Sequence, residues 1–414
     1  MFRVCSWFRF AQSKLVLIAA GVFLALFLQA VPTSLPGSHA ARPVSAEVAA
    51  APGEYVVKFS SGDDSTLPII AGETRDLVFE VMEAGTGAPA PDASLEVEIR
   101  HLGSRRRIIG TDLPYLEGSR ILSVTTAVSA GRWVLEDFRF PIRGTYGLYV
   151  RAYGSGPDEG QPGQAGVAPI GQDEFKVAVR EDPQKFLWSG LLLGGLLLFG
   201  LVVGWLYGPE FLGWKRGSSA GPNPGAVRGA LTLLLLQGLL LSAAGGVSGV
   251  VHAHGEPHPA GLGLHETAGG RIRLQTSPAD PRMDAPAMVN LEVFGDDGQP
   301  LSGALLEVEM VMEEHGQVEK MFKLSLLAPQ GQTTFLYHFP EGEEFTAGIS
   351  VRPAEPEDPT SFEPFEGQVE LGIAPVQPTL ARRLKDLALL MGTFLLGFVA
   401  AALIQRRRFI ARYA

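Results

Sequence analysis

The sequence predicts an all-β protein tethered to a membrane by transmembrane α-helices. Three observations carry that fold class. Two uncharged apolar runs, Phe186–Tyr207 and Ala230–Val251, each exceed the about 20 helical residues needed to cross a hydrocarbon core about 30 Å thick. The stretches on either side of this pair alternate apolar and polar residues with the period of half-buried strands. A short motif in the first of those stretches returns in the second.

Composition narrows the functional classes. The 414 residues suffice for two or three domains. The net charge of −10 argues against a nucleic-acid partner. Hydrophobic residues make up 46% and charged residues 19%, a balance set mainly by the apolar runs. The single cysteine, Cys5, leaves the folded parts without a disulfide, a thiolate metal site or a cysteine nucleophile.

In chain order, residues 1–40 read as a signal peptide or a first membrane helix. Arg3, Arg9 and Lys14 precede the apolar Leu15–Val31, and Ser38-His39-Ala40 offers the small residues of a cleavage site. Residues 41–53 are an Ala/Pro-rich linker. From 54 to 180, Tyr55/Val57/Phe59, Leu77/Phe79/Val81, Leu95/Val97/Ile99, Trp133–Phe140, Tyr146–Tyr153 and Phe175/Val177/Val179 alternate between Gly/Pro/Asp turns. Six to eight such strands predict an antiparallel β-sandwich of immunoglobulin-like type. Residues 186–207 form a transmembrane helix, with Trp188, Trp205 and Tyr207 as interfacial anchors. Its Gly190/Gly194 and Gly200/Gly204 pairs have the spacing that permits close helix packing, as in a self-association face.

Residues 208–229 are a cytoplasmic turn with Lys215, Arg216 and Arg228, and 230–251 return as a second transmembrane helix. Residues 252–269 are a His-rich linker. Residues 270–375 alternate again and predict a second immunoglobulin-like β-sandwich. Residues 387–404 are the last transmembrane helix, and 405–414 a basic cytoplasmic tail with Arg406, Arg407, Arg408 and Arg412. If every run spans, these basic clusters share one side, and both β regions lie in the periplasm or its equivalent. Arg382, Arg383 and Lys385 alone run against that rule. The spans carry no charged side chain, which argues against a transporter.

The repeat joins the two halves. Gly87-Ala-Pro89 leading into Leu95-Glu-Val97-Glu-Ile99 matches Gly298-Gln-Pro300 leading into Leu306-Glu-Val308-Glu-Met310, 211 residues on. The preceding Phe79-Glu-Val81 and Leu291-Glu-Val293 match after one gap. This motif resembles the periplasmic immunoglobulin-like domains of the YtkA-like type and, more distantly, the CopC type. The resemblance implies membrane-tethered periplasmic domains, linked in some relatives to copper handling.

Candidate chemistry concentrates in His252, His254, His258 and His265, with Glu256 and Glu266 nearby. Four of the eight histidines fall within 14 residues, and imidazole with carboxylate suits copper or zinc. Cleavage after Ala253 would make His254 a free N-terminus able to chelate copper through its amine and ring. The competing reading is a polar linker. Met310, Met312 and Met321 with His315 offer thioethers for Cu(I), but the first two continue the inward phase of Leu306 and Val308 and read as core. His101 holds the position of Met312, and His338 is expected to face solvent. Glu96/Glu98 and Glu307/Glu309 are expected on a solvated or partner-binding face. Gly217-Ser-Ser219-Ala-Gly221 has the letters of a nucleophile elbow without its strand–turn–helix context.

The sequence therefore predicts a non-enzymatic, membrane-anchored periplasmic binding or accessory protein with duplicated β domains, handling copper. The alternative is a structural or assembly subunit of a membrane protein complex with no metal. Its expected partners are the lipid bilayer and another membrane protein or a second copy, with no nucleic acid.

Overall fold

The computed structural model describes residues 55–61, 68–90, 93–103, 115–128, 130–154, 169–211, 262–267, 269–314, 317–354, 362–376 and 380–413. The expected signal segment, the returning span 230–251 and most of the cytoplasmic turn lie outside these residues. The chain divides into two units. One contains both described helices, and the other contains every described strand.

In the first half the strands are β1 (Tyr55–Ser61), β2 (Ile69–Ile70), β3 (Thr74–Glu83), β4 (Ser94–Gly103), β5 (Arg120–Ala127), β6 (Arg132–Arg139), β7 (Gly144–Tyr153) and β8 (Gly171–Arg180). In the second half they are β9 (Leu262–Thr267), β10 (Gly270–Ser277), β11 (Ala287–Phe294), β12 (Ser302–Glu314), β13 (Gln317–Gln330), β14 (Gln332–Tyr337), β15 (Glu344–Pro353) and β16 (Phe365–Gly372). Alternation sets their faces. In β16, Phe365, Gly367, Val369 and Leu371 are buried while the residues between them are exposed.

The strands form two sheets, ordered β1-β3-β6-β13-β12-β15-β16 and β2-β8-β7-β4-β5-β14-β11-β10-β9. Both sheets run through both halves. This replaces the expectation of two separate sandwiches. The first half supplies three strands to one sheet and five to the other, and the second half four to each. Apart from the short β2 and the edge strand β9, equivalent strands lie in opposite sheets, so the halves are related by a pseudo-two-fold. The register repeats at the joins. Leu324 pairs with Leu135 and Lys323 with Glu136, while Val124 pairs with Phe335 and Ser123 with Leu336. Joining β5 to β14 and β6 to β13 removes four sheet edges that would otherwise be open to aggregation. Buried side chains from both sheets and both halves make one continuous apolar core.

Strand β9 corrects the expected linker over 252–269. Residues 262–267 pair antiparallel with β10, His265 standing opposite Ile272. The segment has too few apolar residues to signal a strand, and its extended form comes from the edge that β10 offers.

The helical unit contains α1 (Pro183–Phe211) and α2 (Leu380–Tyr413). Proline at the first position of α1 costs no hydrogen bond, because that N–H has no intrahelical partner. Their segments Pro183–Trp205 and Arg383–Arg408 are long and apolar enough to cross a membrane. The expected basic tail is the helical end of α2 as far as Tyr413.

Candidate functional site

The four histidines singled out by the sequence are not brought together by the described residues. His252, His254 and His258 lie outside them, and His265 is in β9. Among the described residues no group of three or more His, Cys, Asp or Glu side chains is arranged to hold a metal ion. Met310, Met312 and Met321 are all core residues, at most 1% exposed. His315 lies outside the described residues.

His101 is fully buried. Its Nδ1 accepts from the Gly103 N–H at 3.2 Å and its Nε2 faces the Arg143 carbonyl oxygen at 3.2 Å. The ring stands edge-on to Tyr146 with centroids 4.9 Å apart. These contacts define a neutral Nε2–H tautomer with both nitrogens engaged, leaving no lone pair for a metal.

His338, expected in solvent, is 1% exposed. Strand β14 ends at Tyr337, so the alternation that would turn residue 338 outward stops before it. Its Nε2 faces the Met283 carbonyl oxygen at 3.2 Å and its Nδ1 faces the Ser119 hydroxyl at 3.0 Å. Burial pushes its pKa down, against the Met283 bond and nearby Asp284, which push it up. The site lies where the halves meet. The His338 N–H donates to the Ile121 carbonyl oxygen, and the Tyr115 hydroxyl to the Pro340 carbonyl oxygen.

The pseudo-two-fold maps this site onto another. Phe138-Arg139-Phe140-Pro141 repeats as Tyr337-His338-Phe339-Pro340, so Arg139 is the counterpart of His338. Ser119 has Glu319 as its counterpart, because Arg120 and Lys320 hold matching places beside equivalent irregularities in the β4–β5 and β12–β13 ladders. Arg139 pairs with Glu319 as His338 pairs with Ser119. At the charged end a shallow cleft of about 510 Å³ opens, lined by Gly72, Glu73, Thr74, Arg75, Lys320 and the Arg139–Glu319 pair. Beside it, Asp137 adopts a left-handed φ of 52°, and its N–H donates to the Asp76 carboxylate at 2.9 Å. Sequence alternation missed both ends of the junction, although the repeated aromatic-x-Phe-Pro signal was present.

The repeated glutamates are charge-compensated, and one is not solvated as expected. Glu98 is 7% exposed and lies 2.6 Å from Arg100 and 3.2 Å from Arg120. Glu96 accepts from Arg151 at 2.9 Å and from the Tyr153 hydroxyl at 2.8 Å. Burial first, then that bond to Glu96, pushes the Tyr153 hydroxyl up to about 12. Glu307 pairs with Arg352 and Lys323, and Glu309 with Lys320. Such ladders hold strands side by side.

The repeated Gly-x-Pro turn has a structural task. Strand β5 passes to β6 in the opposite sheet through Gly131, and β13 passes to β14 through Gly331. Gly131, at φ 73°, accepts from the Val81 N–H at 2.7 Å, while Ala90 N–H donates to the Val81 carbonyl oxygen at 3.0 Å. Gly331, at φ 70°, does the same with Val293 and Leu301 at 2.8 and 3.0 Å. A Cβ on Gly131 would lie 2.7 Å from Pro89 Cβ and 2.9 Å from backbone atoms of Ala90 and Val81. The motif thus forms the bed on which each sheet-switching turn rests.

In the helical unit, α1 and α2 pack in parallel. A Cβ on Gly200 would overlap the Phe394 carbonyl oxygen, one on Gly204 that of Phe398, and one on Gly397 that of Leu197. The small-residue spacing seen in the sequence is used here inside one chain, through close backbone approach of the kind small residues permit. Near the far end, Gln405 Nε2 donates to the Trp205 carbonyl oxygen.

These features define a class: a β-rich protein of two shared sheets with two candidate membrane-spanning helices. No family model matches the chain, and no curated protein matches it. Among solved structures it is similar to the PmoD soluble domain from a Methylocystis species, at 17% identity over 30% of this chain and 90% of that one, with a TM-score of 0.19. It is similar to Escherichia coli alpha-2-macroglobulin at 9% identity, covering 80% of this chain and 15% of that one, with a TM-score of 0.20. Invasin, a bacterial integrin-binding protein, is similar at 10% identity over 78% of this chain and 40% of that one, with a TM-score of 0.17. Likenesses at these scores assign neither a family nor an activity.

Proposed function

We propose that this chain is a non-enzymatic accessory or assembly protein of the cell envelope, with its β halves held outside the cytoplasm on membrane-spanning helices. The observation that carries this reading is the parallel packing of α1 and α2. Each helix follows closely on a strand, β8 or β16, and parallel helices put the β region that precedes each on the same side of the bilayer. The chain between them must cross back, and Ala230–Val251 is an uncharged run of the right length. Arg406, Arg407 and Arg408 at the end of α2 favour the cytoplasm for that end. Compensated carboxylates and histidines bonded to backbone give no support to catalysis. The two halves, fused through both sheets, offer broad strand surfaces suited to a protein partner.

The test is labelling by a membrane-impermeant thiol reagent in intact cells. Cys5→Ser removes the native thiol, and single cysteines are placed at Thr86→Cys, Asp296→Cys and Ala411→Cys. Labelling of the first two without the third is expected. Labelling that separates Thr86→Cys from Asp296→Cys would overturn the reading.

A second reading adds a metal. The closeness of His252, His254, His258 and His265 in sequence favours copper or zinc captured near the bilayer. Titration of the full chain with Cu(II) and Zn(II), beside a variant with all four changed to alanine, decides it. Indistinguishable binding removes the metal and leaves the assembly role.

A further inference from the structure

The apolar spans of α1 and α2 end at Trp205 and Arg408. There the Arg408 guanidinium lies over the Trp205 ring, 4.9 Å from its centroid. Gln405 spends its amide N–H on the Trp205 carbonyl oxygen. Two polar atoms at this corner are buried without a hydrogen-bond partner: Gln405 Oε1, an acceptor, and Arg408 Nη1, a donor. Residues three apart share a helix face, so the two orphans lie on the same side of α2. Burying either without a partner is costly, and the pair together fits a ligand bringing one acceptor and one donor.

We propose that Trp205, Gln405 and Arg408 form a headgroup site for a phospholipid. Its phosphate accepts from Arg408 Nη1, and a hydroxyl or ammonium on the headgroup donates to Gln405 Oε1. Guanidinium is the side chain best shaped for phosphate oxygens. Tryptophan is favoured at the depth where headgroups lie, and basic corners between helices are where headgroups bind. Phosphatidylglycerol and phosphatidylethanolamine share the required chemistry, whereas phosphatidylcholine brings the phosphate without the donor. The inference rests on α1 and α2 spanning the membrane.

The full chain, purified in detergent, is incubated with phosphatidylglycerol, phosphatidylethanolamine or phosphatidylcholine and examined by native mass spectrometry. Retention of either of the first two at least about tenfold above phosphatidylcholine is expected, and the two arms show which headgroup is preferred. Gln405→Leu should abolish the preference, Arg408→Lys should lower retention of all three lipids, and Arg407→Lys, at an exposed position, should change neither. Equal retention of phosphatidylcholine by the natural chain overturns the site. So does undiminished retention in Arg408→Lys, which would mean that charge alone suffices. Release of the chain from membranes by alkaline carbonate would instead overturn the membrane-spanning reading itself.

Discussion

Gly131 shows how much of this fold rests on single residues. Two separate penalties meet there, a left-handed φ and backbone atoms within 3 Å of any Cβ. Gly87 carries only the first, with φ 67° and open space around it. Gly87→Ala should therefore cost about 1 kcal/mol, and Gly131→Ala roughly 2–4 kcal/mol, because strain and overpacking add. Urea unfolding of the two variants measures the difference, and equal midpoints would deny that the switching turn is seated on the repeated motif. Sequence reading reached some residues and not others for physical reasons. Met310 and Met312 continue a strand's inward phase, so their burial was legible. His338 lies one residue past the end of β14, where the chain turns and period two no longer applies. Glu98 looked solvated because alternation reports the face of a sheet and not whether arginines cover it.

At the scale of elements, the helix pair depends on backbone contact that a glycine alone allows. Gly200 and Gly204 face carbonyl groups of α2, while a Cβ on Gly195 would meet nothing within 4 Å. Gly200→Leu should force the helices apart and cost about 1–3 kcal/mol. Gly195→Leu should stay within about 0.5 kcal/mol of the natural chain. Thermal unfolding in detergent, followed by helical circular dichroism, separates these outcomes, and a lower midpoint for Gly195→Leu than for Gly200→Leu would reverse the assigned face. Both helices were readable from apolar run length, since a span is recognised without knowing its neighbour. That Gly200 and Gly204 seat α2 was not readable, because small-residue spacing marks a face without naming what packs on it. Strand β9 was lost for a related reason: its extended form comes from pairing with β10 and not from its own six residues.

At the scale of the whole β unit, the repeat revealed two modules but not their fusion, since periodicity says nothing about which strand edges remain open. The fusion is pinned by polar contacts across it. Trp133 Nε1 and Thr126 Oγ1 each donate to the Ser325 carbonyl oxygen at 3.1 Å, and the pairs Arg139–Glu319 and His338–Ser119 close the two ends. The His338 end should respond to acid. His338 is held neutral by burial, so its folded pKa lies below the 6.5 of a free imidazole. The unfolded chain therefore binds this proton at a higher pH than the folded one does. Its stabilising contribution is complete above about pH 6.5 and is lost as pH falls through that value toward the folded pKa, by up to about 1.4 kcal/mol per pH unit. His338→Gln keeps a donor for the Met283 carbonyl oxygen without a titrating group. Urea midpoints measured at pH 7.5 and pH 5.0 should fall more between the two conditions for the natural chain than for His338→Gln. Parallel losses in the two proteins would mean that acid weakens the fold elsewhere and that the junction does not sense the proton.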